Sequence, residues 1–178
     1  MDIGAAFLAQ SREYLSDHYL PKILAAVDEL SDQDLWWRPN ETSNSAANLI
    51  LHLSGNVRQW IVSGVGGAPD RRERDLEFSR RDPMPRVELT GLLRDTIRDA
   101  VAVIGAVRPS ALGDRRSIQG REVTVLEAIY HVVEHFSTHV GQIVMIAKQR
   151  AGRDLGFYRM EGGELRAAWP GHPTSGSA

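Results

Sequence analysis

The sequence predicts an all-α fold: a four-helix bundle with one long crossover connection and an irregular C-terminal tail. Three observations predict it. Four long runs place their apolar residues at helical spacing. No strand-like segments alternate with those runs, which argues against a parallel α/β sheet. One connection, residues 63–85, is longer than the tight links that join neighbouring helices and suits a bundle with a crossover.

The bulk properties narrow the function classes. At 178 residues, with 42% apolar and 25% charged side chains, the chain is long and apolar enough for one ordinary core. The formal net charge of −2 gives no electrostatic support for nucleic-acid binding. No apolar run approaches the roughly 18 residues that cross a bilayer. The N-terminus carries Asp2 and no basic stretch, so it reads as the start of a helix and not as a signal peptide, with the cytoplasm as default location. The chain has no cysteine, which excludes disulfides, thiolate metal sites and cysteine nucleophiles.

The first helical run covers residues 4–30, with Phe7, Leu8, Tyr14, Leu15, Leu20, Ile23, Leu24, Val27 and Leu30 apolar. Pro21 lies inside it, where the missing N–H and the ring predict a kink or a junction of two helices. Ser31 is suited to cap a short helical turn that Asp32 and Asp34 favour, closed by Arg38-Pro39-Asn40. Residues 41–44 supply capping side chains for a second long helix, ANLILHLSGNVRQWIVSG. Most of its surface is apolar. One row, formed by Ser45, Asn48, His52, Gly55, Asn56 and Gln59, is polar and lies on one side of the helix. That row is either a solvent face or the lining of an internal pocket.

The connection 63–85 is rich in glycine, proline and charge, and loops of this length serve as lids or are mobile. Its RRERD run reads as a solvated face, although Arg58 or an arginine of residues 71–81 would suit an anionic substrate. Residues 86–107 form an amphipathic helix with Val87, Leu92, Leu93, Ile97, Ala100, Val101 and Ile104 inward. Residues 110–121 have room for a short strand or hairpin. Thr124 and Glu127 form a capping box at the start of the last long helix, which runs to about Gln149 with Gly152 just beyond. Residues 1–152 are expected to form the bundle. Residues 153–178 are expected to form an irregular extension whose end, HPTSGSA, is disordered.

The last helix carries His131, His135 and His139 at four-residue steps, within apolar flanks formed by Val132, Phe136, Val140 and Ile143. An i, i+4 pair such as His135 and His139 can place two imidazole nitrogens on one divalent ion. The third ligand has to come from another helix, and His52, mid-helix on the polar row, is the best placed. Three histidines leave coordination positions open, which is the layout of a catalytic site. His131 lies about 80° from His139 on the wheel and is read as a supporting or packing residue. Gln142, about 20° from His135, would orient a bound water or a substrate, or hydrogen-bond a ligand ring. Glu134 is expected to face away, and His18 and His172 to lie on the surface. The same histidines also suit a helix–helix seam bonded to Asn48, Asn56 or Thr138. No phosphate loop, G-x-S-x-G elbow or HExxH motif is present.

Two segments carry a resemblance. His135-x-x-x-His139-Val-Gly141-Gln142-Ile143 resembles the last-helix signature of the DinB-like (DinB/YfiT) superfamily of metalloenzymes. Asn44-Ser45-x-x-Asn48-Leu-x-Leu-His52-Leu-x-Gly55-Asn56-x-Arg58-Gln59-Trp60 resembles its metal-ligand helix, and Leu35-Trp36-Trp37-Arg38-Pro39-Asn40 resembles the stretch before it. The similarity spans roughly residues 5–150 and is nearest to the DUF1572-type subgroup. The resemblance implies an up-down-down-up bundle that forms a homodimer, with a divalent metal on His52, His135 and His139. Zinc or nickel is expected first, iron or manganese next. The same resemblance implies thiol-dependent S-transfer or related chemistry on a small molecule, with a low-molecular-weight thiol as the expected co-substrate. The alternatives are a metal-dependent hydrolase and a non-catalytic metal-binding bundle.

Overall fold

The structure is a computed structural model that describes residues 1–170. His172 and the HPTSGSA segment lie outside the described residues. The chain is predominantly helical, with two small antiparallel sheets. Helix α1 (Ile3–Glu13) continues through a π-helical segment (Tyr14–Tyr19) into α2 (Leu20–Asp28), so residues 3–28 form one unbroken rod. Pro21 does not split the rod. The wider turn ahead of it closes with Leu20 N–H donating to Leu15 O, five residues back, which makes room for a ring that would crowd an α-helical turn. The carbonyl whose α-helical donor would be residue 21 is that of Asp17. It accepts instead from the Trp169 indole Nε1 at 3.1 Å, from the far end of the chain. Asp2 caps the start of α1 by accepting from Ala5 N.

The short α3 (Asp32–Leu35) is capped by Ser31, as its sequence suggests. Helix α4 (Ala46–Val57) is capped by Ser45, whose Oγ accepts from Asn48 N, and not by residues 41–44. It runs into a second π-helical segment (Arg58–Val65). The long connection is not a bare loop: it contains α5 (Arg74–Ser79), which packs on α4. Helix α6 (Arg86–Ala106) buries Leu89, Leu93, Thr96, Ile97, Ala100 and Ile104. Val87, expected inward, is exposed, because at about 100° per residue it lies about 160° round the helix from the buried Leu89. Arg86 closes the first rod from across the fold. Its guanidinium donates to Val27 O and Leu30 O, each at 2.5 Å, and to Asp32 Oδ1 at 3.0 Å, while Val27 O also accepts from Leu30 N at 3.1 Å.

Strands β1 (Arg115–Ile118) and β2 (Arg121–Thr124) form a hairpin that leads straight into α7 (Val125–Ala151). The capping box of Thr124 and Glu127 is present, and Gly152 ends α7 with φ of 67°, a left-handed conformation that glycine adopts without cost. The described part of the tail is not irregular. Strands β3 (Tyr158–Glu161) and β4 (Glu164–Ala167) pair antiparallel across Gly162-Gly163, whose φ values of 59° and 86° suit a tight two-residue hairpin. Beyond it Trp169 is buried against Lys22, whose Nζ sits 3.8 Å from the indole centroid.

The core joins all the long helices. Helix α4 packs on α6 and α7, α2 on α7, and α1 on α6. Phe136, Leu15, Ile23, Leu53, Ile97 and Ile129 are among its fully buried side chains. Each such side chain contributes about 1.5–3 kcal/mol by leaving water. Among the described residues, no helix is long and apolar enough to cross a membrane.

Candidate metal centre

The α4–α7 contact brings the polar row of one helix against the histidine row of the other. Ser45, Asn48, His52 and Asn56 are buried, so this part of the row is not a solvent face but is packed inside the fold. His52 Nε2 lies 3.0 Å from His135 Nε2, and His139 Nε2 lies 3.1 Å from the same atom. The ligand atoms of the three rings all fall within 4.8 Å of one another. Two nitrogens bound to one ion at about 2.0–2.1 Å each can be at most about 4.2 Å apart, so both short separations fit a common ion.

The tautomers follow from the partners. His52 Nδ1 lies 2.9 Å from Glu77 Oε2. A carboxylate can only accept, so this nitrogen carries the proton and Nε2 presents a lone pair. Arg72 Nη2 is also 3.2 Å from His52 Nδ1, but its proton is directed to Glu77 Oε2 at 2.8 Å. His139 Nδ1 lies 2.7 Å from Gln142 Oε1, an amide acceptor, and so also leaves its Nε2 free. His135 faces both lone pairs. Its Nδ1 is buried without a hydrogen-bond partner among the described residues. A single proton on His135 Nε2 can serve only one of its two neighbours in full, whereas a cation meets all three lone pairs at once. The donor set therefore fits a divalent ion held by imidazole, and His52, His135 and His139 could hold one.

Electrostatics agree with that chemistry. Burial, with the neighbouring His139, His52 and His131 rings and the Arg72 guanidinium, pushes His135 down to about 3. Burial also lowers His139, against an opposing contribution from its Gln142 hydrogen bond. Burial alone would raise the Glu77 carboxyl, but its hydrogen bonds to Arg72 and His52 hold it below the usual carboxylate range. His135 and His139 are thus kept neutral and ready to donate, beside a carboxylate kept charged.

Glu77 and Arg72 are the functional residues that sequence reasoning missed. Arg72 donates to Glu77 Oε1 from Nε at 2.7 Å and to Oε2 from Nη2, a two-pronged pair buried behind His52. The arginine comes from the run read as a solvated face, whose other members are exposed. Its side chain is only 3% exposed. The signal that could have found the pair is Gly55. A Cβ on Gly55 would lie 1.9 Å from Glu77 Oε1 and 3.1 Å from Arg72 Nε, so α4 needs a glycine where the pair crosses it. Helix α5 is clamped in turn. Asn48 Nδ2 donates to Glu77 O at 2.8 Å, its Oδ1 accepts from Arg38, and Phe78 packs against the His52 ring.

The remaining histidines stand apart. His131 sits on the Trp60 ring with Asn56 Nδ2 at 3.4 Å, outside the trio, as a supporting or packing residue would. Burial lowers its pKa first, so its 3.5 Å approach to Glu134 is not a charged pair near neutrality. Glu134 is exposed, as expected. His18, expected at the surface, is half-buried between Tyr14 and Trp169. Asn48 and Thr138, considered as partners for a histidine seam, bond to backbone carbonyls instead. A cleft of about 830 Å³ opens between α4, α5 and α6. Arg72, Glu77 and Gly55 line it, but none of the three histidines does.

A family model described as "Protein of unknown function (DUF1572)" matches residues 2–160. No curated protein matches the chain.

Proposed function

The chain belongs to this DUF1572 family, and from that premise we propose that it is a metal-dependent enzyme acting on a small molecule through His52, His135 and His139. The observation that carries the reading is the convergence of three Nε2 atoms, two of them with Nδ1 already committed to Glu77 and Gln142. A structural ion would suit a closed site, whereas His135 and His139 retain partial exposure beside the buried His52. A bound divalent ion, zinc or nickel first, supplies Lewis acidity that lowers the pKa of a coordinated thiol or water.

The rest of the chemistry belongs to the chain. Glu77 takes the His52 Nδ1–H and so enriches Nε2 as a donor, and Gln142 fixes the His139 ring in the same sense. Asn48 and Arg38 hold α5, and with it Glu77, against α4. We further read the four long rods as an up-down-down-up bundle of DinB-like type, a cytoplasmic homodimer, whose resemblance favours thiol-dependent S-transfer over hydrolysis.

The test begins with elemental analysis of tag-free protein beside His52→Ala and His135→Ala. About one ion per chain is expected in the wild type and none in either variant. Loaded protein is then given monobromobimane with a panel of small thiols. Thiol-dependent, metal-dependent turnover supports S-transfer, and turnover of ester or amide substrates without thiol moves the assignment to hydrolysis. A wild-type protein that neither contains nor takes up zinc, nickel or manganese overturns the metalloenzyme reading.

A further inference from the structure

Glu77 does not hold His52 alone. Arg72, which grips both its carboxylate oxygens, donates from Nη1 to Gln59 Oε1 at 2.9 Å. Gln59 Oε1 also accepts from Gln119 Nε2 at 2.5 Å, and its Nε2 donates to Asp70 Oδ2 at 2.7 Å. Asp70 Oδ1 in turn accepts from Arg72 N at 3.0 Å. A continuous series of hydrogen bonds therefore runs from the tip of the β1–β2 hairpin through the π-helical segment to His52.

Two conformational features sit on this series. Gln119 has φ of 53°, the only positive φ at a non-glycine among the described residues. With Gly120 at 72° it makes the turn between Ile118 and Arg121, a position that asparagine or glycine fills more readily. An asparagine side chain is one methylene shorter, so the strained glutamine is the residue whose amide has the greater reach toward Gln59. The hairpin is also seated tightly, because a Cβ on Gly64 would lie 2.4 Å from Ile118 Cδ1. Gln59 itself lies in the π-helical segment, a departure from α geometry that recurs at functional sites. Strain retained where a side chain reaches into a polar network points to a role for that side chain.

We propose that Gln59 and Gln119 are positioning residues for the His52 ligand, acting through Arg72 and Glu77; the proposal rests on the metal-site reading above. Gln59 sets where the Arg72 guanidinium lies, Arg72 sets the plane of the Glu77 carboxylate, and Glu77 sets the tautomer and tilt of His52. The hairpin tip is thereby part of the metal centre, although it touches no ligand.

The experiment compares full-length wild type with Gln59→Leu and Gln119→Asn. Zinc affinity is read by competition with a chromophoric chelator, and the His52 imidazole is read by nitrogen-15 NMR of metal-free protein. Each variant is expected to bind zinc about 3- to 10-fold more weakly, less than the 10- to 100-fold typical of losing the group that directly holds a ligand. Gln119→Asn should at the same time raise the melting temperature, because asparagine relieves the turn. A stabilised fold with a weaker site is an outcome that general damage would not produce. In the metal-free spectra the His52 Nδ1–H signal should shift or broaden in both variants. Zinc affinity and His52 spectra unchanged in Gln119→Asn and Gln59→Leu would overturn the proposal. If wild type itself binds no zinc, the metal reading falls, and the NMR arm alone decides whether the two glutamines position His52.

Discussion

Replacing Gly55 by alanine tests how the carboxylate is held. The new methyl group would sit 1.9 Å from Glu77 Oε1 and 2.8 Å from its Cδ, where ordinary contact begins at 3.4 Å. The carboxylate must therefore retreat by 3.4 − 1.9 = 1.5 Å. Its bonds from Arg72 and His52, now 2.7–2.9 Å, cannot survive a displacement of that size unless both partners follow. The same methyl would come within 3.1 Å of Arg72 Nε and displace it as well, while His52 is fixed in the α4 core. Glu77 can swing into the cleft it lines and remain solvated, so the fold is expected to persist. Alanine in place of glycine also favours the helix by about 1 kcal/mol. The loss falls on the site: about 10- to 100-fold in metal affinity, or roughly 1.4–2.7 kcal/mol. A chelator-competition titration of wild type, Gly55→Ala, Glu77→Ala and the double variant reads it. In the Glu77→Ala background the methyl meets no carboxylate, so Gly55→Ala should cost nothing further. Wild-type affinity in Gly55→Ala, or an equal loss in both backgrounds, would refute the argument.

Other expectations follow from the same geometry. In metal-free protein, folded His135 binds its proton only near 3, whereas the unfolded chain binds it near 6.5, so stability falls as pH drops from 6.5 toward 3. The size is on the order of 2–3 kcal/mol after allowing for the ring's partial exposure. Glu77, held below its ordinary value, adds loss in the same direction as pH falls through its folded value. Urea melts across pH 4–7 should show this slope, and His135→Gln should flatten it. Arg86→Met leaves the ends of α2 and the following turn without their guanidinium. It should cost about 2–3 kcal/mol, seen as a lower urea midpoint at unchanged slope and unchanged metal affinity. Trp169→Phe keeps an aromatic ring beside Lys22 but removes the donor to Asp17 O. A loss of about 1 kcal/mol in stability is expected, and no loss would show that the carbonyl is served equally well without the indole.

Sequence patterns reached different parts of this molecule unequally. The histidine trio was legible because helical spacing is rigid: four-residue steps fix which rings share a face, and a polar row on an apolar helix has few places to go. The π-helical segments were not legible, since no residue pattern in them distinguishes an i+5 turn from an i+4 turn, and only Pro21 marked where the first departs from α geometry. Arg72 and Glu77 were missed because a charge run has no periodicity that separates an inward side chain from its exposed neighbours. The C-terminal hairpin carried a signal that was passed over. Tyr158-Arg159-Met160 and Leu165-Arg166-Ala167 alternate on either side of Gly162-Gly163, which is a strand pattern around a tight turn. Val87 is outward because it lies nearly opposite the buried Leu89 on the helical wheel, so the spacing itself argued against an inward assignment.

The bond between Asp17 and Trp169 also has a consequence in time. The two residues are 152 positions apart, and at about 5–20 residues per second a ribosome needs roughly 8–30 s to travel from one to the other. For that interval the nascent helix carries a proline that cannot donate to Asp17 O, and the indole that does so in the folded chain has not yet been made. Trp169 lies beyond the residue at which the family match ends. The helix that carries Pro21 thus gains its Trp169 bond only after all the helices that pack on it have been made.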